Sequence, residues 1–164
     1  EGHAVVSIGG KYGLINLNGE LVLTPKFDKM ERMQEGRVAV AVGKDNKALW
    51  GFVDERGTVK VERKYQAVKP YYSGLAQVAI DTADGVKWGF VDESGVEVVP
   101  PQYHWCSNFI NGRARVSNLE DGIEYFGILD GSGKVILPVE YKYVGNYSDG
   151  LACVGRKKPK KPTG

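Results

Sequence analysis

Two cysteines and two histidines are all that this 164-residue sequence offers of the side chains most used for disulfides and soft metals. Two cysteines make no disulfide framework. His3 and His104 lie far apart, and His104-x-Cys106 supplies only two ligands with no second pair, so no zinc site is expected. No apolar run has the length of a membrane-crossing helix, and no signal-peptide pattern opens the chain. No stretch combines a helical period with caps. No phosphate-binding glycine loop, dinucleotide fingerprint or nucleophile–base pair stands out, and Gly9-Gly10 reads as a hairpin loop. The sequence therefore predicts a protein without cofactor, metal or catalytic set.

An excess of one charge is also missing. The net charge is +2. The tail from Arg156 to Gly164 carries five positive charges and no acid, which leaves the body net negative. Residues 156–164 read as a basic, disordered end with nothing to bury. An acidic body lacks the basic face that nucleic acid needs, so such a partner is expected at most for the tail.

Glycine is abundant, at 22 residues, against seven prolines. Without a collagen period, this composition means many tight turns. The glycines are also ordered. An aromatic–glycine pair recurs as Tyr12-Gly13, Trp50-Gly51, Trp88-Gly89 and Phe126-Gly127, at a constant step of 38 residues. Gly19, Gly57, Gly95 and Gly133 keep the same step, as do Phe27, Tyr65, Tyr103 and Tyr141, and Gly36, Gly74, Gly112 and Gly150. Four anchors holding one period through four copies mark a tandem-repeat protein.

This phrase resembles the WG repeat, also called the KWG repeat, found in many bacterial proteins. The matching features are the aromatic–glycine pairs, the Asp-x-x-Gly that follows, the Pro-x-aromatic of Pro25-Lys26-Phe27 and Pro101-Gln102-Tyr103, and the closing Gly-x-Ala-x-Val. They span Gly2 to Val154. The resemblance implies a β-repeat domain and carries no catalytic motif with it.

Within each copy, the residues after the closing glycine alternate as a strand: Val38, Val40 and Val42 fall on one face, and Ala76, Val78 and Ile80 do likewise. Arg37, Gln77, Arg113 and Arg115 on the opposite face predict a half-buried strand with one wet side. The aromatic–glycine strand is apolar on both faces and is expected to be central. Its glycine is expected to lie under an aromatic ring of a neighbouring strand or repeat. Asp54 to Gly57, Asp92 to Gly95, Asp130 to Gly133 and Asn16 to Gly19 predict side-chain-capped hairpin turns. A third strand follows, with Pro25, Pro100, Pro101 and Pro138 at its edge or exit. The closing segment, such as 67–74, reads as either a short fourth strand or an extended link.

The expected fold is all-β, with tandem antiparallel β-meander repeats in one domain over residues 1–155. First-strand patterns at both Gly2–Val6 and Gly150–Val154 favour an open, solenoid-like array over a closed β-propeller, because the extra strand can cover an exposed edge.

The recurring carboxylates Asp54, Asp92 and Asp130 share their slot with Asn16 and are expected to cap turns. Cys106 shares an apolar slot with Met30, Val68 and Val144 and reads as a small buried hydrophobe. The third copy departs from the pattern at Trp105, where the others have Lys29, Ala67 and Tyr143. Trp105, together with the small basic patch of Arg113 and Arg115, is the candidate partner-binding site. The bland alternative for Trp105 is packing at a repeat junction. A non-catalytic interaction scaffold for a protein partner is the first functional expectation. A carbohydrate- or cell-envelope-binding module using exposed aromatics is the second, and an enzyme with a site between repeats is a distant third.

Overall fold

The computed structural model describes residues 2–146 and 151–156. The chain is all-β, built of tandem antiparallel sheets, and contains no α-helix among the described residues. It divides into two compact units, one up to Pro101 and one from Gln102 onward. The division falls inside a strand.

The first sheet holds three strands in sequence order, β1 (His3–Ile8), β2 (Lys11–Asn16) and β3 (Leu21–Phe27). The second is β4 (Lys29–Met30), β5 (Arg37–Val42), β6 (Leu49–Asp54) and β7 (Val59–Tyr65). The third is β8 (Ala67–Val68), β9 (Leu75–Thr82), β10 (Gly85–Asp92) and β11 (Glu97–Tyr103). The fourth is β12 (Trp105–Cys106), β13 (Arg113–Glu120), β14 (Ile123–Asp130) and β15 (Val135–Tyr141). Each sheet is an open ladder with two edges.

The closing segment of each repeat is thus a two-residue strand, and it pairs forward. Lys29 and Met30 face Ala41 and Val40, and Ala67 and Val68 face Ala79 and Val78. One sheet takes its first strand from the end of one sequence repeat and its other three from the next. The same pairing returns at the far end, where Val144 bridges Val154 and the Gly145 amide donates to the Cys153 carbonyl at 2.7 Å. The expected Gly150–Val154 strand is present only as this bridging, and Gly150 lies outside the described residues. So do positions 157–164 of the basic tail.

The glycine of each aromatic–glycine pair sits against backbone rather than under a ring. At Gly51 the register slips between the Trp50–Tyr65 and Phe52–Val61 pairs, so β7 bulges opposite the glycine. A Cβ on Gly51 would meet the Val61 carbonyl oxygen and would lie 2.9 Å from the Arg63 nitrogen. Gly13, Gly89 and Gly127 meet the same bulge in β3, β11 and β15. Two extra residues curl back over the central strand there, and only hydrogen fits between the two backbones. Pro25 and Pro101 occupy the bulge position of Arg63, on edge strands, where a missing N–H is tolerated.

The turns form as the sequence predicts. Asp54 Oδ1 accepts from the amides of Arg56 at 3.0 Å and Thr58 at 2.8 Å, and Gly57 takes φ +79°. Asn16 does the same work with Asn18 and Glu20, at 2.9 and 3.0 Å. Tight hairpins also introduce β5, β9 and β13. Gln34 and Arg37 exchange both backbone hydrogen bonds around Glu35 and Gly36, whose φ values are +49° and +69°. Two successive left-handed residues make the primed turn that matches strand twist.

In the unit up to Pro101 the sheets lie face to face in sequence order. Leu14, Leu23 and Phe27 of the first sheet pack on Val38, Val40 and Val53 of the second. The opposite face of that second sheet, with Ala39, Phe52, Val61 and Tyr65, packs on Tyr71, Ala76, Val78 and Val91. Phe52 meets Tyr71 edge to face at 4.8 Å, and the Tyr71 hydroxyl donates to the Asp92 carbonyl at 2.8 Å. Burying a ring such as Phe52 contributes roughly 2–3 kcal/mol. This sandwiching corrects the expected wet side of the first strand. Val38 to Ala41, on the second sheet, are all buried, and Gln77, on the third, is itself only 3% exposed. The second sheet lies between two others and so has two dry faces. Trp50 packs partly buried on the core, and Trp88 lies under the Lys69 ammonium at 5.0 Å.

Candidate functional site

Where the repeats agree, their residues build the ladder just described. Where one copy departs from the others, its residues are free for other work. One such departure, at Trp105 and Arg115, falls on the fourth sheet beside Arg113, whose slot holds Arg37 two copies earlier. β12 contributes Trp105, and β13 contributes Arg113 and Arg115, two residues apart and therefore on one face.

Arg115 is held from several sides. Its backbone pairs with Ser107, which donates its amide to the Arg115 carbonyl and accepts the Arg115 amide on its hydroxyl, both at 2.9 Å. Its guanidinium donates to the Val144 carbonyl at 3.0 Å and lies 5.7 Å from the Trp105 ring centre. Arg113 donates from Nη1 to the Gly112 carbonyl at 2.9 Å and faces Asp130 across the ladder. The structure thus brings all three predicted residues into one neighbourhood. Trp105 is half-buried and also meets Phe126 edge to face at 6.3 Å. It is the wall that carries Arg115.

Beside the arginines lies a cavity of about 120 Å³, lined by Ser107, Asn108, Ile110, Arg113, Arg115 and Asn146, with Ala114 and Ile128 behind. Ser107, Asn108 and Asn146 are not legible in the sequence as site residues, because the segments that bring them to β13 carry no recognisable motif. Its volume is well below the about 300–1,000 Å³ of small-molecule and cofactor pockets. A side chain fits it better than a nucleotide. Among the described residues, the polar lining consists of guanidinium, amide and hydroxyl groups, with no carboxylate, imidazole or thiol. A larger depression of about 470 Å³ lies at His3, Val5, Leu14, Arg32 and Met33. It arises where Leu14 and Met33 replace the larger Phe52 and Tyr71 of the next copy.

The turn carboxylates are bound to their own loops. Asp92 is held below the usual carboxylate range by the Ser94 hydroxyl and the amides of Val96, Ser94 and Gly95, against a smaller opposing effect of burial. Asp130 is lowered first by the Ser132 hydroxyl. At Asp54 burial pushes upward, but the Thr58 and Arg56 amides and the Lys60 ammonium outweigh it. Glu97 is lowered first by Lys64, at 2.8 Å, and then by the Tyr65 hydroxyl, at 2.6 Å. Burial first, and then that carboxylate, push the Tyr65 hydroxyl well above its ordinary value. Among the described residues no cluster of three His, Cys, Asp or Glu side chains could hold a metal ion. Cys106 is buried at 1% exposure, and His104 is exposed two residues before it.

A family model described as WG containing repeat matches residues 12–47, 50–81, 88–119 and 126–156. No curated protein and no solved structure matches the chain.

Proposed function

The chain belongs to the WG-containing repeat family, and from that premise we propose that it is a non-catalytic interaction module. The repeated sheets act as a rigid scaffold, and the fourth sheet presents Arg113, Arg115 and Trp105 to a protein partner. One observation carries this reading. The site beside Trp105, where the third copy departs from the others, is a small cationic cavity whose described lining residues supply donors but no titrating acid, base or thiol. Such a lining can bind and cannot transfer a proton near neutral pH. The contacts of Trp105 with Arg115 and Phe126 weigh against its use as a free platform for a sugar ring.

A pull-down with mass spectrometry tests the proposal, using the wild-type chain, a chain ending at Gly155, and the Arg113→Ala/Arg115→Ala variant. The expected result is a partner retained by the shortened chain and lost, at least about tenfold, by the arginine variant at unchanged circular dichroism. A partner that follows the tail alone would reduce the repeat body to a spacer. Trp105→Ala should weaken both stability and capture. If it abolishes folding, its role is packing and the arginines alone carry recognition. Glycan-array binding that survives loss of both arginines would overturn the protein-partner reading.

A further inference from the structure

The hairpin turns that introduce the long strands contain an internal example of ligand recognition. Glu35 places its two carboxylate oxygens on the backbone amides of Ser73 and Gly74, each at 2.9 Å. Those two residues have φ +54° and +76°, and this pair of left-handed residues turns adjacent N–H groups toward one acceptor. The charge-assisted bonds that result are about twice as strong as neutral ones.

One repeat on, Asn111 and Gly112 adopt the same conformation, with φ +51° and +70° and the same paired bonds between Ile110 and Arg113. Thirty-eight residues before Asn111, as Glu35 is before Ser73, the sequence has Ser73, which carries no carboxylate. Among the described residues no acceptor lies on the Asn111 and Gly112 amides. Both residues are exposed. The following position is Arg113, whose guanidinium touches the Gly112 carbonyl at 2.9 Å, where the template turn has the uncharged Leu75. Ile110, just before the turn, is 52% exposed.

We infer that the Asn111–Gly112 turn is a receptor for a side-chain carboxylate of an acidic partner segment, in the place that Glu35 fills one repeat earlier. This deepens the interaction-module reading and rests on it for the source of the carboxylate. The amides bind the two oxygens, the Arg113 charge favours the anion, and Ile110 offers apolar contact to the flanking chain.

Amide chemical shifts of the isotope-labelled full chain test it. The probes are an N-acetylated, C-amidated tripeptide with glutamate between two glycines, its glutamine counterpart, and acetate. The glutamate peptide should shift the Asn111 and Gly112 amides saturably in the millimolar range and several-fold more tightly than acetate, while the glutamine peptide leaves them in place. Ser73 and Gly74 should respond only in Glu35→Asn, which suits the left-handed turn and vacates that site. The inference fails if Ser73 and Gly74 respond in Glu35→Asn while Asn111 and Gly112 do not, or if neither pair responds. Equal shifts with glutamine peptide, or equal affinity for acetate, would leave an adventitious ion only. Binding here without any partner in the pull-down would keep the carboxylate site and remove the protein-partner reading; a captured partner with silent amides would do the reverse.

Discussion

Two kinds of glycine do different work, and substitution separates them. Gly51 has an ordinary backbone conformation but no room, because a Cβ would strike the carbonyl of Val61 and crowd Glu62 and Arg63. Gly36 has open space and φ +69°. Asparagine tolerates the left-handed region, so Gly36→Asn should cost less than about 1 kcal/mol, whereas the overpacked Gly51→Ala should cost about 3 kcal/mol or more. Urea denaturation of the two variants checks the order. A harmless Gly51→Ala would mean that the bulge opposite it can shift.

The turn carboxylates give stability a pH dependence of known sign. Asp54, Asp92 and Asp130 are all lowered in the fold. A lowered carboxylate contributes stability above its unfolded value, about 3.9, and loses that contribution as pH falls through its folded value. The melting temperature should therefore hold from neutral pH to about pH 5 and fall below about pH 4. Asn16 caps the same turn without a charge. The triple variant Asp54→Asn/Asp92→Asn/Asp130→Asn should thus keep its turns and show a shallower acid decline. An unchanged acid limb would place the pH sensitivity elsewhere, with Glu97 and its Lys64 and Tyr65 partners the next carboxylate to test.

At the scale of elements, the sequence showed most of the ladder and missed its joins. Period-two alternation and the Asp-x-x-Gly turns located the three long strands of each copy, because those signals are local. The two-residue strands β4, β8 and β12 were not decidable, since two residues carry no periodicity and only their partner in the next repeat makes them strands. The wet face expected from Arg37 on the second sheet failed for a related reason. One polar residue cannot report that a second sheet covers it. Trp105 and Arg115 were visible as breaks in the repeat, and Arg113 as a charge shared with Arg37, whereas Ser107 and Asn146 carried no signal of their own.

At the scale of the molecule, a sheet with two dry faces cannot be stable alone, so its energy lies in the contact with its neighbours. Phe52 tests this within the unit up to Pro101. Its ring is 1% exposed, belongs to the second sheet, and fills the space against Tyr71, Ala76 and Val78 of the third. Phe52→Ala should cost about 3–5 kcal/mol by removing that contact. Because the loss falls at a junction, it should not stay in β6. Tyr71 loses its edge-to-face partner, and its hydroxyl is what holds the Asp92 carbonyl at the end of β10. Hydrogen exchange should therefore speed up in β9 and β10 as well as in β5 and β6. β2, on the far side of the second sheet, packs through Leu14 against Val38, Val40 and Val53 rather than through Phe52, and should change less. Loss of protection confined to β5 and β6 would mean that each sheet carries its own stability, and the coupling between repeats inferred from the shared cores would be wrong.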